Sequence, residues 1–353
     1  MKKIKVFLGG YINSTNSQNL SCKALANYID KDKFSVLTLE AYNGNLKREK
    51  NESVISFYCF YPAKISSYLG FLWGIWNCDV AFLPRGNHYK WIRFLLKLFK
   101  KRSFKTIENV LDETVLPSVA AVYGSIEDIK EGYAMCDRLY SLSRYMKDYN
   151  YTKFGIKSEE AILNLATDTS DFINKNKNVS ELKNIIFIGN DMIRKGISDY
   201  LKVAENFPDL NFHIVGSGLN QFDVNNYVSS HNLKNIIYHG IIGHKELKGL
   251  LKEVDLHILP SRSEGFPKVI VETAAAGIPS IVYPDYGAEE WITTWKDGVI
   301  VNTTDDIELA LGKLKETPNL LKDLSRNAME FSRKYDIKSV ISDYENIIQE
   351  LVL

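Results

Sequence analysis

The stretch "SRSEGFPKVIVETAAAGIPSIV", Ser261 to Val282, holds two carboxylates eight positions apart, Glu264 and Glu272. The segment before it, "DLHILPS", reads as a strand, "PKVIVETAAAG" as a helix and "PSIVYPD" as the next strand. Glu264 therefore stands at the carboxyl end of a strand, just ahead of a helix start. Pro267 suits the first helical turn, where a missing N–H costs nothing. The amides of Lys268, Val269 and Ile270 then point out of the helix start, an arrangement that binds phosphate. Glu272 falls in the second turn, and Gly277 and Pro279 stop the helix. A ligand with hydroxyls at both ends and phosphate between them fits, and a nucleoside diphosphate sugar is such a ligand. Local physics supports an equal alternative: acids favour helix starts anyway, so Glu264 reads also as a cap and Glu272 as a solvated helix residue.

Outward from this stretch, strands alternate with helices. "NIIFIGN", "NFHIVGSG" and "NIIYHGI" read as strands, and "GISDYLKVAENFP" and "KELKGLLKEV" as helices. The first half repeats the pattern with "KIKVFLG", "FSVLTLE", "VISFYCF", "DVAFLP", "FKTIENV" and "DRLYSLS". Such alternation predicts parallel sheets covered by helices on both faces. The polar segment Ala166 to Asn184 is the expected linker, and 353 residues suit two domains. We expect an N-terminal domain over 1–170, a C-terminal domain over 171–335, and a helix over 336–353 that packs back on the first domain. Sheets of this kind hold ligands at the carboxyl ends of their strands, which makes a cleft between the domains the expected active site.

Composition excludes several classes. The net charge of +1 gives no general attraction to nucleic acid. Cys22, Cys59, Cys78 and Cys136 stand singly, without zinc or disulfide spacing, which suits a reducing cytoplasm. The histidines are scattered and no cluster has zinc or carboxylate-metal spacing, so no required metal is expected. "GSG" at Gly216 to Gly218 lacks the third glycine of a dinucleotide fingerprint, and no nicotinamide cofactor is expected. "YLGFLWGIWNCDVAFL", Tyr68 to Leu83, is apolar but interrupted by Gly70, Gly74, Asn77 and Asp79. It reads as a buried helix plus strand rather than a membrane span.

"EGFPKVIVE", a glutamate, seven residues and a second glutamate, resembles the signature of retaining glycosyltransferases with the two-domain GT-B fold, in particular glycosyltransferase family 4. The likeness extends through "FIGNDMIRKGISDYLKVAENFPDLNFHIVGSG", "YHGIIGHKELKGLLKEVDLHILPSRSEGFP" and "PDYGAEEWITTWKDGVIVN", and more loosely to "FLGGYINSTNSQNLSCKALANYI". It implies two Rossmann-like domains facing a cleft. It also implies that Glu264 holds donor-sugar hydroxyls, that Glu272 holds ribose hydroxyls, and that the backbone of Gly265, Phe266 and Pro267 lines the sugar and phosphate pocket. Family members clamp the diphosphate with a Gly-Arg-x-x-x-x-Lys-Gly pattern. Here Gly189, Lys195 and Gly196 match it, the arginine position is Asn190, and Arg194 is the nearby replacement. Lys195 and Arg194 also read as surface cations.

In the first half, Gly9 and Gly10 end the first strand, either for close approach of a ligand or for a plain turn. The family commonly places a histidine after a central strand of this domain. Here Glu108 stands there, and His88 is the histidine of this half. Either is a candidate to face the reacting sugar, and His88 reads equally as a surface residue. Arg85 to Lys105 carries many basic residues and no acid, with Trp91, Phe94, Leu95, Leu98 and Phe99 at helical spacing around Lys97, Lys100 and Lys101. This is either an amphipathic domain helix or a peripheral contact with an anionic membrane. The expected function is transfer of a sugar from a nucleotide donor to a glycan or lipid-linked acceptor, with retention, in surface polysaccharide or glycoconjugate synthesis. The alternatives are a sugar-nucleotide epimerase or hydrolase of this fold, or an inactive sugar-nucleotide-binding scaffold. The expected place is the cytoplasm, at the inner face of the cell membrane.

Overall fold

The computed structural model of the chain describes residues 2–42, 53–174, 177, 179–219 and 221–353. It divides into two units, Met1–Asp168 with Tyr335–Leu353, and Thr169–Lys334. The first boundary falls two residues before the expected one.

The first unit is built on β1 (Ile4–Tyr11), β2 (Phe34–Glu40), β3 (Val54–Tyr58), β4 (Val80–Phe82), β5 (Arg102–Ile107) and β6 (Arg138–Ser141). All pairs are parallel, in the order β3-β2-β1-β4-β5-β6. The crossovers carry α1 (Ser17–Tyr28), α2 (Ala63–Asn77), α3 (Tyr89–Phe99), α4 (Leu116–Tyr123) and α5 (Ile126–Tyr133), and α6 (Arg144–Phe154) follows β6. Side chains alternate across a strand, so β1 feeds two cores. Val6 and Leu8 pack with α1 and the chain's final helix, while Phe7 packs with α2 and α3. Burial on both faces is why these strands read as continuous apolar runs.

The second unit repeats the plan with β7 (Asn184–Ile188), β8 (Asn211–Val215), β9 (Ile236–Gly240), β10 (Leu256–Leu259), β11 (Ser280–Val282) and β12 (Val299–Ile300). Its parallel order is β12-β11-β10-β7-β8-β9. Its helices are α7 (Ile197–Asn206), α8 (Val224–Ser230), α9 (His244–Leu250), α10 (Lys268–Ala275), α11 (Thr304–Glu316) and α12 (Pro318–Tyr335). A short 3-10 turn spans Ala288–Glu290. The last helix, α13 (Ile337–Val352), returns to the first unit, where Val340, Tyr344 and Ile348 join the α1 core.

Two sequence expectations are refined. The unit boundary at Asp168 falls inside the expected linker, whose later part packs on the second unit. Phe172 is buried in a cluster with Ile186, Val215 and Leu251, and the Lys177 ammonium donates to the carbonyl oxygens of Lys252 and Val254. The Tyr68–Leu83 stretch is a helix followed by a buried strand, as expected, but α2 is buried on one face only. Ser66, Ser67, Gly70 and Gly74 lie on its inner face, and a Cβ on Gly74 would run into the Phe7 ring. Small residues bring the helix close to the sheet, Phe71 and Ile75 enter the core beside them, and other bulky side chains stay outside. Ile65, Leu69 and Trp76 are 56%, 41% and 61% exposed.

Candidate active site

Strand order in the second sheet reverses between β7 and β10. Loops leaving two such strands run to opposite sides and open a crevice at their carboxyl ends. Both motifs singled out from sequence leave the sheet there, the Gly189–Gly196 loop after β7 and the Pro260–Pro267 loop after β10.

Glycines fit the two loops together. Gly196 has φ +80, left-handed backbone that costs other residues energy, and a Cβ on it would collide with the Pro260 carbonyl. A Cβ on Gly189 would overlap the alkyl chain of Lys195. One glycine thus presses the first loop onto the second, and the other lets Lys195 lie back across the strand end.

The result is a charged cluster. Lys195 Nζ donates to Glu264 Oε1 at 2.5 Å, and Arg194 Nη1 lies 3.5 Å from the same oxygen. The Arg194 guanidinium is held from two more sides, by Asp191 Oδ2 at 2.8 Å and the Ser263 carbonyl at 2.5 Å. Asp191 has φ +57, the left-handed turn that aims its carboxylate. Ser261, fully buried, sets its hydroxyl 3.1 Å from the Ser263 carbonyl and 3.3 Å from that of Arg194. Glu264 is 8% exposed. Burial pushes its carboxyl up, but Lys195 and Arg194 outweigh burial and hold it below its ordinary range, so it is ionised at neutral pH. Burial also works against the charge of Arg194, and Glu264 and Asp191 more than compensate, raising its pKa.

Glu272 differs. It sits half-buried in the second turn of α10, and its carboxylate takes no hydrogen bond or ion pair from the described residues. Burial raises its pKa, against the opposing pull of Lys268 and His244. A desolvated carboxylate without donors is an acceptor ready for a ligand's hydroxyls. The helix start is narrower than expected. Pro267 is the cap rather than the first helical residue, and its carbonyl takes the Ile270 N–H at 3.0 Å. Of the three amides expected to point at a ligand, those of Lys268 and Val269 are the candidates. Phe266 turns its ring into the core, 5.3 Å from the Trp291 ring centroid, so its backbone is what the loop can present beside Gly265. Asn190 is exposed.

His257 on β10 lies under the cluster. Its Nδ1 is 2.9 Å from Ser280 Oγ, and its Nε2 is buried with no partner among the described residues. Burial, then Lys195, lowers its pKa from 6.5 to about 3. The imidazole is neutral in the fold, while the unfolded chain binds a proton below pH 6.5. Its contribution to stability is therefore complete above that pH and is lost as pH falls towards 3. Urea unfolding is expected to show this group costing up to about 1.4 kcal/mol per pH unit in that window. His257→Leu should flatten the slope, and an unchanged slope would remove His257 as its source.

In the first unit β1 runs through Gly9 and Gly10 to Tyr11, so neither glycine ends the strand as expected. Packing explains both. A Cβ on Gly9 would lie 2.9 Å from Leu83 Cδ2, and one on Gly10 2.7 Å from Cys22 Sγ. The order of this sheet reverses between β1 and β4. His88 follows β4 as the left-handed cap of α3, φ 61, with its ring 4.4 Å from that of Tyr68. Burial, Arg85 and Lys64 lower its pKa. Glu108 follows β5 and accepts from Thr106 Oγ1 at 3.1 Å. Sequence reasoning missed Arg85, whose guanidinium lies 5.0 Å over the Tyr11 ring and 3.4 Å from Asn19 Oδ1 at this switch point. An arginine directly after a strand, followed by Gly86, was the available signal. It also missed Asp191, Ser261 and Tyr286; the last is a buried phenol whose pKa is pushed well up by burial and by Glu264.

The chain is similar to known proteins in sequence and fold. Residues 168–331 match the family model of glycosyl transferases group 1. An alpha-galactosylglucosyldiacylglycerol synthase of Streptococcus pneumoniae is 25% identical over 249 residues, 69% of this chain and 62% of that protein. The chain spans about 60% of the length of the curated relatives it matches first. Sucrose-phosphate synthase from Thermosynechococcus elongatus superposes with a TM-score of 0.80 at 14% identity, covering 99% of both chains. HepE of Anabaena in complex with UDP-glucose gives 0.77 at 12% identity, covering 98% of this chain and 100% of that one. The chain therefore has the GT-B fold of glycosyltransferases, and its second unit matches glycosyl transferases group 1 over residues 168–331.

Proposed function

We propose that the protein is a glycosyltransferase that moves a sugar from a nucleoside diphosphate donor to a hydroxyl of a glycan or lipid-linked acceptor. The observation that carries this is the pairing of Lys195 and Arg194 with the buried Glu264, in the same unit as Glu272, whose carboxylate has no partner among the described residues. A diphosphate offers the two cations a partner of higher charge. Glu264 is then released to accept sugar hydroxyls, and Glu272 accepts those of the ribose. In the reaction the bond from the anomeric carbon to the diphosphate breaks and a bond to the acceptor oxygen forms. The acceptor's proton leaves for the diphosphate, and charge grows on the phosphates where Lys195 and Arg194 stand. Retention at the anomeric carbon rests on the resemblance of "EGFPKVIVE" to retaining enzymes. The name of the pneumococcal relative supports a lipid-linked acceptor, and α3 with its lysines is the part of the chain that would meet the membrane holding it.

Product formation that requires both donor and acceptor tests the reading, with the anomeric configuration of the product read by NMR. Turnover of donor without acceptor would favour an epimerase or hydrolase, and no turnover with intact binding a scaffold. Because side-chain cations neutralise the phosphates here, activity is expected to survive chelation of divalent ions. Arg194→Ala should lower kcat ten- to a hundredfold with little change in donor affinity, the size of a lost charge-assisted hydrogen bond. Equal rates would mean that Lys195 works as a single cation.

A further inference from the structure

We infer that Arg85, at the switch point of the first sheet, is the receptor for a phosphate group of the acceptor. Loops leaving β1 and β4 part there, and open sheets of this kind take ligands in that crevice. Arg85 follows β4 after Leu83 and Pro84. Its backbone is pinned by the neighbouring strand. The buried Lys105 ammonium on β5 donates to the Arg85 carbonyl at 2.9 Å and to the Tyr123 hydroxyl at 2.7 Å. Gly86 admits Tyr123, because a Cβ there would lie 2.2 Å from the ring's Cε2. Gln18 on α1 holds the same loop by donating to the Pro84 carbonyl at 3.2 Å. The Arg85 guanidinium lies 5.0 Å over the Tyr11 ring, and that ring is fixed by a 2.6 Å bond between its hydroxyl and Ser67 Oγ.

Arg85 is positioned without being neutralised. An arginine carries five N–H donors in a flat fork. Arg85 uses Nη1 on a neutral oxygen, Asn19 Oδ1 at 3.4 Å, and that oxygen already accepts the Tyr11 amide at 2.9 Å. No carboxylate pairs with Arg85 among the described residues. Half-burying a guanidinium without a counterion costs free energy that an incoming anion recovers. The surroundings add charge of the same sign. After burial, Arg85 and then Lys64, exposed at the start of α2, lower the His88 pKa. Burial lowers that of Lys105 to about 8, so it still carries charge at pH 7. The carboxylate acting on this set is Glu108, felt by Lys105 and by neither His88 nor Tyr11. A crevice lined by one sign of charge collects the opposite ion. A fork with one face on an aromatic ring and its edge free suits bidentate phosphate, and a dianion suits a site with further cations better than a carboxylate does. The donor's diphosphate has Lys195 and Arg194 of the second unit. A phosphate bound here is therefore the acceptor's, carried by a sugar phosphate or by a lipid-linked saccharide.

That the phosphate is the acceptor's rests on the glycosyltransferase reading; the affinity of Arg85 for phosphate does not. Calorimetric titrations of the full chain with glucose 6-phosphate, geranyl phosphate, glucuronate and glucose test the site. Wild type should bind the phosphates and leave glucose unbound. The tighter phosphate names the source, a free sugar phosphate or a lipid-linked one. Arg85→Gln should weaken phosphate binding about ten- to a hundredfold, the size of a lost charge-assisted hydrogen bond. Arg85→Lys should recover part of that, because it keeps the charge without the fork. Lys64→Gln removes an exposed cation and should cost only a few fold. The Arg85-dependent part should persist in Arg194→Ala, where the second unit holds phosphate less well. Phosphate titrations left unchanged by Arg85→Gln, in protein that melts as wild type does, would overturn the site. So would wild-type protein that binds neither phosphate. Glucuronate bound more tightly than either phosphate would overturn the choice of phosphate. Arg85-dependent phosphate binding in a protein that binds no nucleotide sugar would instead sink the glycosyltransferase reading and leave the anion site standing.

Discussion

Lys195→Ala is expected to reduce turnover by two to three orders of magnitude while donor affinity falls far less. Removing one preorganised donor aimed at developing negative charge typically costs that much in kcat. The ground-state diphosphate still has Arg194 and the helix start of α10, so binding is partly retained, whereas the charge that appears on bond cleavage loses its nearest cation. The substitution removes the 2.5 Å bond to Glu264 as well. That leaves a buried carboxylate facing only Arg194 at 3.5 Å, so the folded fraction has to be checked by thermal melting alongside the kinetics. A kcat within a few fold of wild type in folded protein would show that Lys195 does not act on the leaving group.

Glu272→Ala is expected to weaken binding of the free nucleoside diphosphate ten- to a hundredfold, whichever sugar the donor carries. A hydrogen bond to a charged group is worth about 1.5–3 kcal/mol, which converts to that range. Because Glu272 has no bonded partner among the described residues, the change should leave the fold intact and relieve the cost of desolvating a carboxylate. Its raised pKa adds a second readout: affinity should drop as pH falls through the upper part of the carboxylate range, where Glu272 takes up a proton. Calorimetry at two pH values, wild type against variant, reads both. Equal affinities at neutral pH would separate Glu272 from the ribose.

Much of this was legible in the sequence because the chemistry is local. Gly196 needs left-handed backbone and close approach to Pro260, so glycine is dictated at that point whatever surrounds it. The alternation of strands and helices gave the parallel sheets, since strands buried on both faces must be apolar throughout. Contacts across long separations were not legible. Lys195 and Glu264 lie 69 positions apart, and nothing in either segment alone shows that they share a proton-bearing contact. The resemblance supplied both residues, but not their pairing in the absence of ligand. Amphipathic reading failed at α2 for a different reason. Its small residues Ser66, Ser67, Gly70 and Gly74 face the sheet together with Phe71 and Ile75, while Leu69 and Trp76 stay exposed, so hydrophobicity alone does not mark its inner face. The glycines of β1 misled in the opposite direction, because close helix packing and ligand approach place the same demand on a backbone.

The central claim is that the second unit binds a nucleoside diphosphate sugar through Glu272, Lys195 and Arg194. A thermal-shift panel of nucleotide sugars, differing in base and sugar and run on wild type and Glu272→Ala, tests it most directly. A ligand at about 100 times its Kd adds about 2.7 kcal/mol of stability, which a melting curve resolves. The account predicts that at least one base gives a clear rise in Tm in wild type and a much smaller one in the variant. A well-folded wild-type protein that no nucleotide sugar stabilises, or a Glu272→Ala protein stabilised as fully as wild type, would contradict it.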